Sequence, residues 1–135
     1  MSKTNAKVSW KTEPQEHDYP AAASYLSLIT TAAEADDLVE RLKGAVSAHY
    51  KAKDMLRAAA LPLLPKDNAH VASDLKKIAG DEHLSPVLLV RGDLDRGTPL
   101  HIADGYHRVC ASYYVDENTD IPCRIVDAHG GAAPG

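Results

Sequence analysis

Residues 100–111 read Leu100-His101-Ile102-Ala103-Asp104-Gly105-Tyr106-His107-Arg108-Val109-Cys110-Ala111. Leu100 and Ile102 alternate with polar neighbours as a half-buried strand does, and Val109 to Tyr114 supply an apolar helical face. Between them Gly105 permits a turn that a Cβ would obstruct. A strand therefore runs straight into a helix. Because the first amides of a helix lack partners within it and its dipole is positive at that end, a Gly turn followed by His107 and Arg108 makes an anion site. The anion expected there is a nucleotide phosphate.

Working outward, a polar turn at 116–120 leads to a closing strand, Ile121 to Val126, whose Pro122 belongs at the strand's start or on a sheet edge. On the other side, Val87-Leu88-Leu89-Val90 is apolar at every position and so predicts a central strand, with a loop at 92–99 turning it back. Asp67 or Asn68 caps a helix that carries Val71, Leu75 and Ile78 inward and ends at Gly80. Its other face presents His70, Ser73, Lys76 and Lys77. Two prolines make 61–65 a loop or extended crossing, and 47–60 is read as a short strand at 47–52 followed by a helical turn. Earlier still come two helices expected to pack antiparallel. Asp18 caps the first, over 19–30, with Ala22, Tyr25, Leu26 and Ile29 on one face; Ala35, Leu38, Val39, Leu42 and Val46 line the second, which ends near Gly44.

The chain thus divides into an arm at 1–16, a single domain at 17–126 whose first part, 17–46, is a helical extension, and a tail at 127–135 expected to be disordered. Trp10 is expected to pin the arm onto the domain. His17 lies among Glu13, Glu16 and Asp18, a polar cluster without metal-ligand spacing that reads as a solvated arm and a helix cap.

At 135 residues, 44% hydrophobic and 25% charged, the chain suits one globular domain, and the lack of Phe makes the core mainly aliphatic. A net charge of −4 offers no general attraction to nucleic acid. Cys110 and Cys123 are too few for a disulfide scaffold and have no zinc spacing, so a reducing cytoplasm is the expected setting and Cys110 reads as a small core residue. No run approaches the roughly 20 apolar residues that span a bilayer.

From 67 to 126 the sequence resembles the sulfiredoxin/ParB-like fold, sulfiredoxins most closely. The residues that carry the likeness are Asp67-Asn68-Ala69-His70-Val71-Ala72-Ser73, the strand, Gly-x-His-Arg turn and helix at 100–114 with Ala111, and Ile121-Pro122-Cys123-Arg124-Ile125-Val126. The resemblance implies an α+β domain with a mixed sheet flanked by helices, here preceded by an N-terminal helical pair. It also implies an ATP-phosphate site in which His107 and Arg108 of the turn face Ser73 and Lys77. His70 stands where the family has a lysine, and Lys77 where it has a hydroxyl residue. Tyr106 replaces the nucleophilic Cys, and a phenol with a pKa near 10 is no substitute for a thiolate, so no sulfiredoxin activity is expected.

Asp104 is a second departure, standing where sulfiredoxins carry Gly. A carboxylate beside a triphosphate is repelled unless a divalent cation such as Mg²⁺ bridges them or an acceptor hydroxyl lies between. Asp-Gly-x-x-Arg also resembles the free-serine kinases of the same fold, whose Asp lies at the catalytic centre; the alternative is that Asp104 merely caps the following helix. The expected phosphate-binding set is Gly105, Tyr106, His107, Arg108, His70, Ser73 and Lys77, with Asp104 as catalytic residue or Mg²⁺ ligand. The function expected is binding of ATP or another nucleoside triphosphate, with phosphotransfer to a small-molecule or protein acceptor, or hydrolysis. Two alternatives stand beside it: a regulatory anion-binding module without turnover, and a ParB-like association with DNA, weakened by the negative charge and the lack of a helix-turn-helix segment.

Overall fold

The computed structural model describes residues 7–128. Its elements run β1 (Ser9–Trp10), α1 (Asp18–Leu26), α2 (Ala32–Gly44), β2 (Ser47–Lys51), α3 (Ala52–Ala59), α4 (Ala69–Ala79), β3 (His83–Leu84), β4 (Val87–Arg91), β5 (His101–Asp104), α5 (Tyr106–Val115) and β6 (Asp120–Asp127). Four strands make a mixed sheet in the order β2-β6-β4-β5, antiparallel at β2/β6 and β4/β5 and parallel at β6/β4. The molecule is a small α+β domain.

Side chains alternate across a strand, so the uninterrupted apolar run of β4 feeds two cores at once. Val87 and Leu89 pack with Met55 and Leu56 of α3, Val71 and Ile78 of α4 and Val109 and Cys110 of α5. Leu88 and Val90 point the other way, into Ala22 and Leu26 of α1 and Leu38 and Leu42 of α2. The N-terminal helical pair is thus one of two helical layers over the sheet. Beside it on β6, Arg124 donates from Nη1 to the carbonyl oxygens of Lys43 (3.4 Å) and Ala45 (3.0 Å), placing a cation at the C-terminal end of α2.

Trp10 pins the described part of the arm onto the domain as expected, packing on the α3–α5 core, and the arm is tethered further by the parallel pairing of β1 with β3 and by Lys11 N–H donating to Leu84 O (2.8 Å). Residues 1–6 lie outside the described residues. Several other expectations are corrected. Helix α1 stops at Leu26 because Ser27 Oγ bonds back to Ser24 O (2.8 Å) and Thr31 accepts the Glu34 amide (3.1 Å), capping α2. Of the residues expected to line the two helices, Tyr25, Ile29 and Val46 are exposed.

The helical turn expected after β2 is the full helix α3, with Ala52, Met55, Leu56 and Ala59 buried at helical spacing. Strand β6 is interior, so Pro122 is on no edge; its pairing with β4 begins one residue later, at Cys123, and the missing N–H costs no ladder bond on that side. Asp127, expected in the tail, closes β6, where its carboxylate accepts from Arg91 Nε (2.8 Å). Ala128 follows as an exposed bend, and 129–135 of the expected tail lie outside the described residues. Among the described residues no helix is long and apolar enough to cross a membrane.

Candidate functional site

The β5–α5 turn is fixed by Gly105, whose φ is +115° and whose missing Cβ would lie 2.4 Å from Val87 Cγ1. Only glycine combines that backbone with so close an approach. Gly105 is also the N-cap of α5 and provides no side-chain acceptor, so the first amides of the helix are left uncapped. Facing them is α4, whose start is set by Asn68: its Oδ1 accepts from the amides of His70 (3.0 Å) and Val71 (3.1 Å). This cap puts His70, Ser73, Asp74 and Lys77 on one face, at i, i+3, i+4 and i+7.

These four residues and Asp104, Gly105, His107 and Arg108 enclose one cavity of about 190 Å³. Seven of the eight residues expected to form the site are therefore brought together. The eighth is not: the Tyr106 phenol turns away and donates to Pro62 O (2.6 Å), leaving only its backbone near the turn. Lys76, expected on this face, does not line the cavity; Asp74 takes that place because i+4 faces the same way as i, whereas i+6 does not.

Arg108 is the electrostatic centre. Its Nη2 donates to Asp104 Oδ2 at 2.9 Å, and its Nη1 lies 3.6 Å from Asp18 Oδ1. Neither carboxylate does the capping expected of it. Asp104 spends its side chain on Arg108, one helical turn along; Asp18 lies inside α1, only 1% exposed, and accepts the Gln15 amide (2.8 Å) and faces Arg108. Burial holds the Asp104 carboxyl above the usual carboxylate range, Arg108 opposes that, and Asp18 adds to it by charge and by a hydrogen bond.

Across the cavity, burial also raises Asp74, against the pull of Lys77, whose Nζ is 4.0 Å from Asp74 Oδ1. The rings of His70 and His107 lie 4.8 Å apart, tilted by 44°. Burial lowers the pKa of His107, with His70 next in the same direction, Asp74 opposing and Arg108 adding. A cationic turn alone is thus an incomplete description: three carboxyls stand among the cations. Asp74 could have been read from its spacing on α4. Asp18 had no such signal, because the contact that draws it in is made by the packing of α1 against β5.

The two thiols are remote from this chemistry. Both are buried and unbridged, burial raises the Cys110 thiol, and it pushes Cys123 up to about 11. His17 is exposed, with Nε2 3.5 Å from Asp18 Oδ1, while Glu13 reaches Arg124 instead (3.7 Å). Among the described residues no group of three His, Cys, Asp or Glu side chains is placed to hold a metal ion. Two carboxylates, Asp74 and Asp104, line the cavity, which is the number that Mg²⁺ takes from a protein when waters and ligand oxygens fill its remaining positions. No family model, curated protein or solved structure matches the chain, so its function is argued from the site itself.

Proposed function

We propose that the cavity between α4 and the β5–α5 turn binds the phosphates of a nucleoside triphosphate, and that the protein transfers the γ-phosphoryl group. The observation that carries this reading is the convergence of an uncapped helix start, Lys77, Arg108 and two histidines on one polar cavity whose wall holds Asp104, with Asp18 behind it on Arg108. Free amides and cations take the charge of the phosphoryl oxygens, while a carboxylate of raised basicity accepts a proton from an attacking hydroxyl. The likeness of residues 67–126 to sulfiredoxin/ParB-like proteins supports the same placement. Mg²⁺ held mainly by phosphate oxygens and water would shield the triphosphate from the carboxylates and leave Asp104 for the proton.

In this mechanism Arg108 has two tasks. It keeps Asp104 and Asp18 in place, and its charge faces the cavity. Lys77, more exposed and only loosely paired with Asp74, is the cation free to swing onto phosphate. The second reading, a binder without turnover, draws on the Asp104–Arg108 bond: a carboxylate already satisfied at 2.9 Å needs no further role.

One variant separates the two. Asp104→Asn keeps the shape and removes the charge. Transfer predicts that nucleotide binding persists and phosphate release or transfer falls by roughly two to four orders of magnitude, as loss of a general base does. The binder reading predicts no turnover in either protein. Failure of any nucleoside triphosphate, with or without Mg²⁺, to raise the melting temperature at millimolar concentration contradicts both.

A further inference from the structure

We propose that His107 is a phosphoryl acceptor, so that transfer passes through a phosphohistidine on the first turn of α5. This rests on the nucleotide reading above and specifies its chemistry. Transfer through a covalent intermediate needs a nucleophile on the protein, and the cavity's neighbours supply few. Tyr106 donates its hydroxyl to Pro62 O and faces elsewhere; Cys110 is buried in the core. Ser73 lines the cavity, but its hydroxyl makes no hydrogen bond to a base among the described residues, and an alcohol without one is a weak nucleophile. Asp104 is held by Arg108.

His107 has what the others lack. It lines the cavity half-buried, between the Gly105 turn and Arg108, with Lys77 across from it. The ring of His70, 4.8 Å away on α4, packs against it and limits its rotation. Burial, His70 and Arg108 favour the neutral ring against the pull of Asp74, and a neutral ring carries a lone pair on one nitrogen without help from a base. A thiolate is not required for such a step.

In the first step that lone pair attacks the γ-phosphorus. A P–N bond forms, the P–O bond to the β-phosphate breaks, and the nucleoside diphosphate leaves with the electron pair. The proton on the other ring nitrogen passes to solvent or to the nearby Asp74 carboxylate. In the second step the ring nitrogen that gave up its proton takes one back from solvent or Asp74, an acceptor hydroxyl, or water, attacks the phosphohistidine with its proton going to Asp104, and the P–N bond breaks, restoring neutral His107. Lys77 and Arg108 balance the phosphoryl charge in both steps.

The full chain is incubated with Mg²⁺ and γ-³²P-labelled ATP, GTP, CTP and UTP in turn, quenched in alkali and resolved under denaturing conditions, while equilibrium dialysis on the same preparation measures binding. The expected result is a covalent label that survives alkali, is lost in mild acid and maps to His107 by mass spectrometry of the wild type. His107→Asn loses the label altogether even at nucleotide concentrations that the dialysis shows to occupy it; His70→Ala labels several-fold more slowly. Binding without label overturns the phosphohistidine and leaves the nucleotide reading standing. Absence of both overturns both. An acid-stable label, or one that persists in His107→Asn, also overturns the proposal, because it places the phosphoryl group elsewhere.

Discussion

Arg108 reaches Asp18 across most of the chain, Nη1 to Oδ1 at 3.6 Å, and joins the N-terminal helix to the β5–α5 turn. The same guanidinium holds Asp104 at 2.9 Å. Removing it strands a carboxylate that is 1% exposed beside a second, largely buried one. Arg108→Met should therefore cost about 3–5 kcal/mol, the usual penalty for breaking a buried pair from one side. Urea denaturation measures it; a loss below about 1 kcal/mol would show that the cluster is solvated and contributes little. Lost nucleotide binding in an Arg108 variant is consequently no proof of a phosphate contact, and Lys77 is the better probe.

At Gly105 two costs coincide. Alanine must adopt φ +115° and place its Cβ 2.4 Å from Val87 Cγ1, which strains the backbone and crowds the central strand. Gly105→Ala should destabilise by about 3 kcal/mol or more. Gly97→Ala provides the control, since its φ is +71° with nothing within 4 Å, and only the backbone cost of about 1 kcal/mol remains. Equal losses at the two positions would refute the close packing of the turn on Val87.

Asp74 should oppose the usual pH dependence of stability. Burial raises its folded pKa above the ordinary 3.8, so the folded state holds the proton more tightly than the unfolded chain does. Its contribution is favourable at low pH and is lost as pH rises through the folded value. Asp74→Asn lacks that titration. The variant should match the wild type near pH 3 and become the more stable of the two towards pH 7, as followed by urea midpoints across the range. A wild type that gains on the variant with rising pH would mean that the pairing with Lys77 outweighs burial.

How far these features could be read in advance depends on their range. The apolar run Val87–Val90 and the strand, glycine and helix at 100–115 are local patterns whose periods differ, and the structure has them where periodicity puts them. The Asn68 cap was legible for the same reason, and with it His70, Ser73 and Lys77. Contacts between distant segments were not. Asp18 before Pro20 has the chemistry of a helix cap, and only the tertiary packing of α1 turns it into a partner of Arg108. Asp104 has cap chemistry too, and the competition was won by a cation four residues on. The two-residue pairing of β1 with β3 is too short to leave any periodic trace.

The central claim is that phosphates occupy the α4–α5 cavity, and the molecule offers a competitor: an apolar cavity of about 220 Å³ lined by Tyr50, Met55, Ala58, Leu89 and Leu100. Amide chemical shifts of the ¹⁵N-labelled protein titrated with ATP and Mg²⁺ distinguish them directly. The expected perturbations are largest at Gly105 to Arg108 and at His70 to Lys77, and they shrink when Lys77 is replaced by Ala. Perturbations confined to residues 50–58 and 89–100, or a spectrum unchanged at millimolar nucleotide, would contradict the phosphate site.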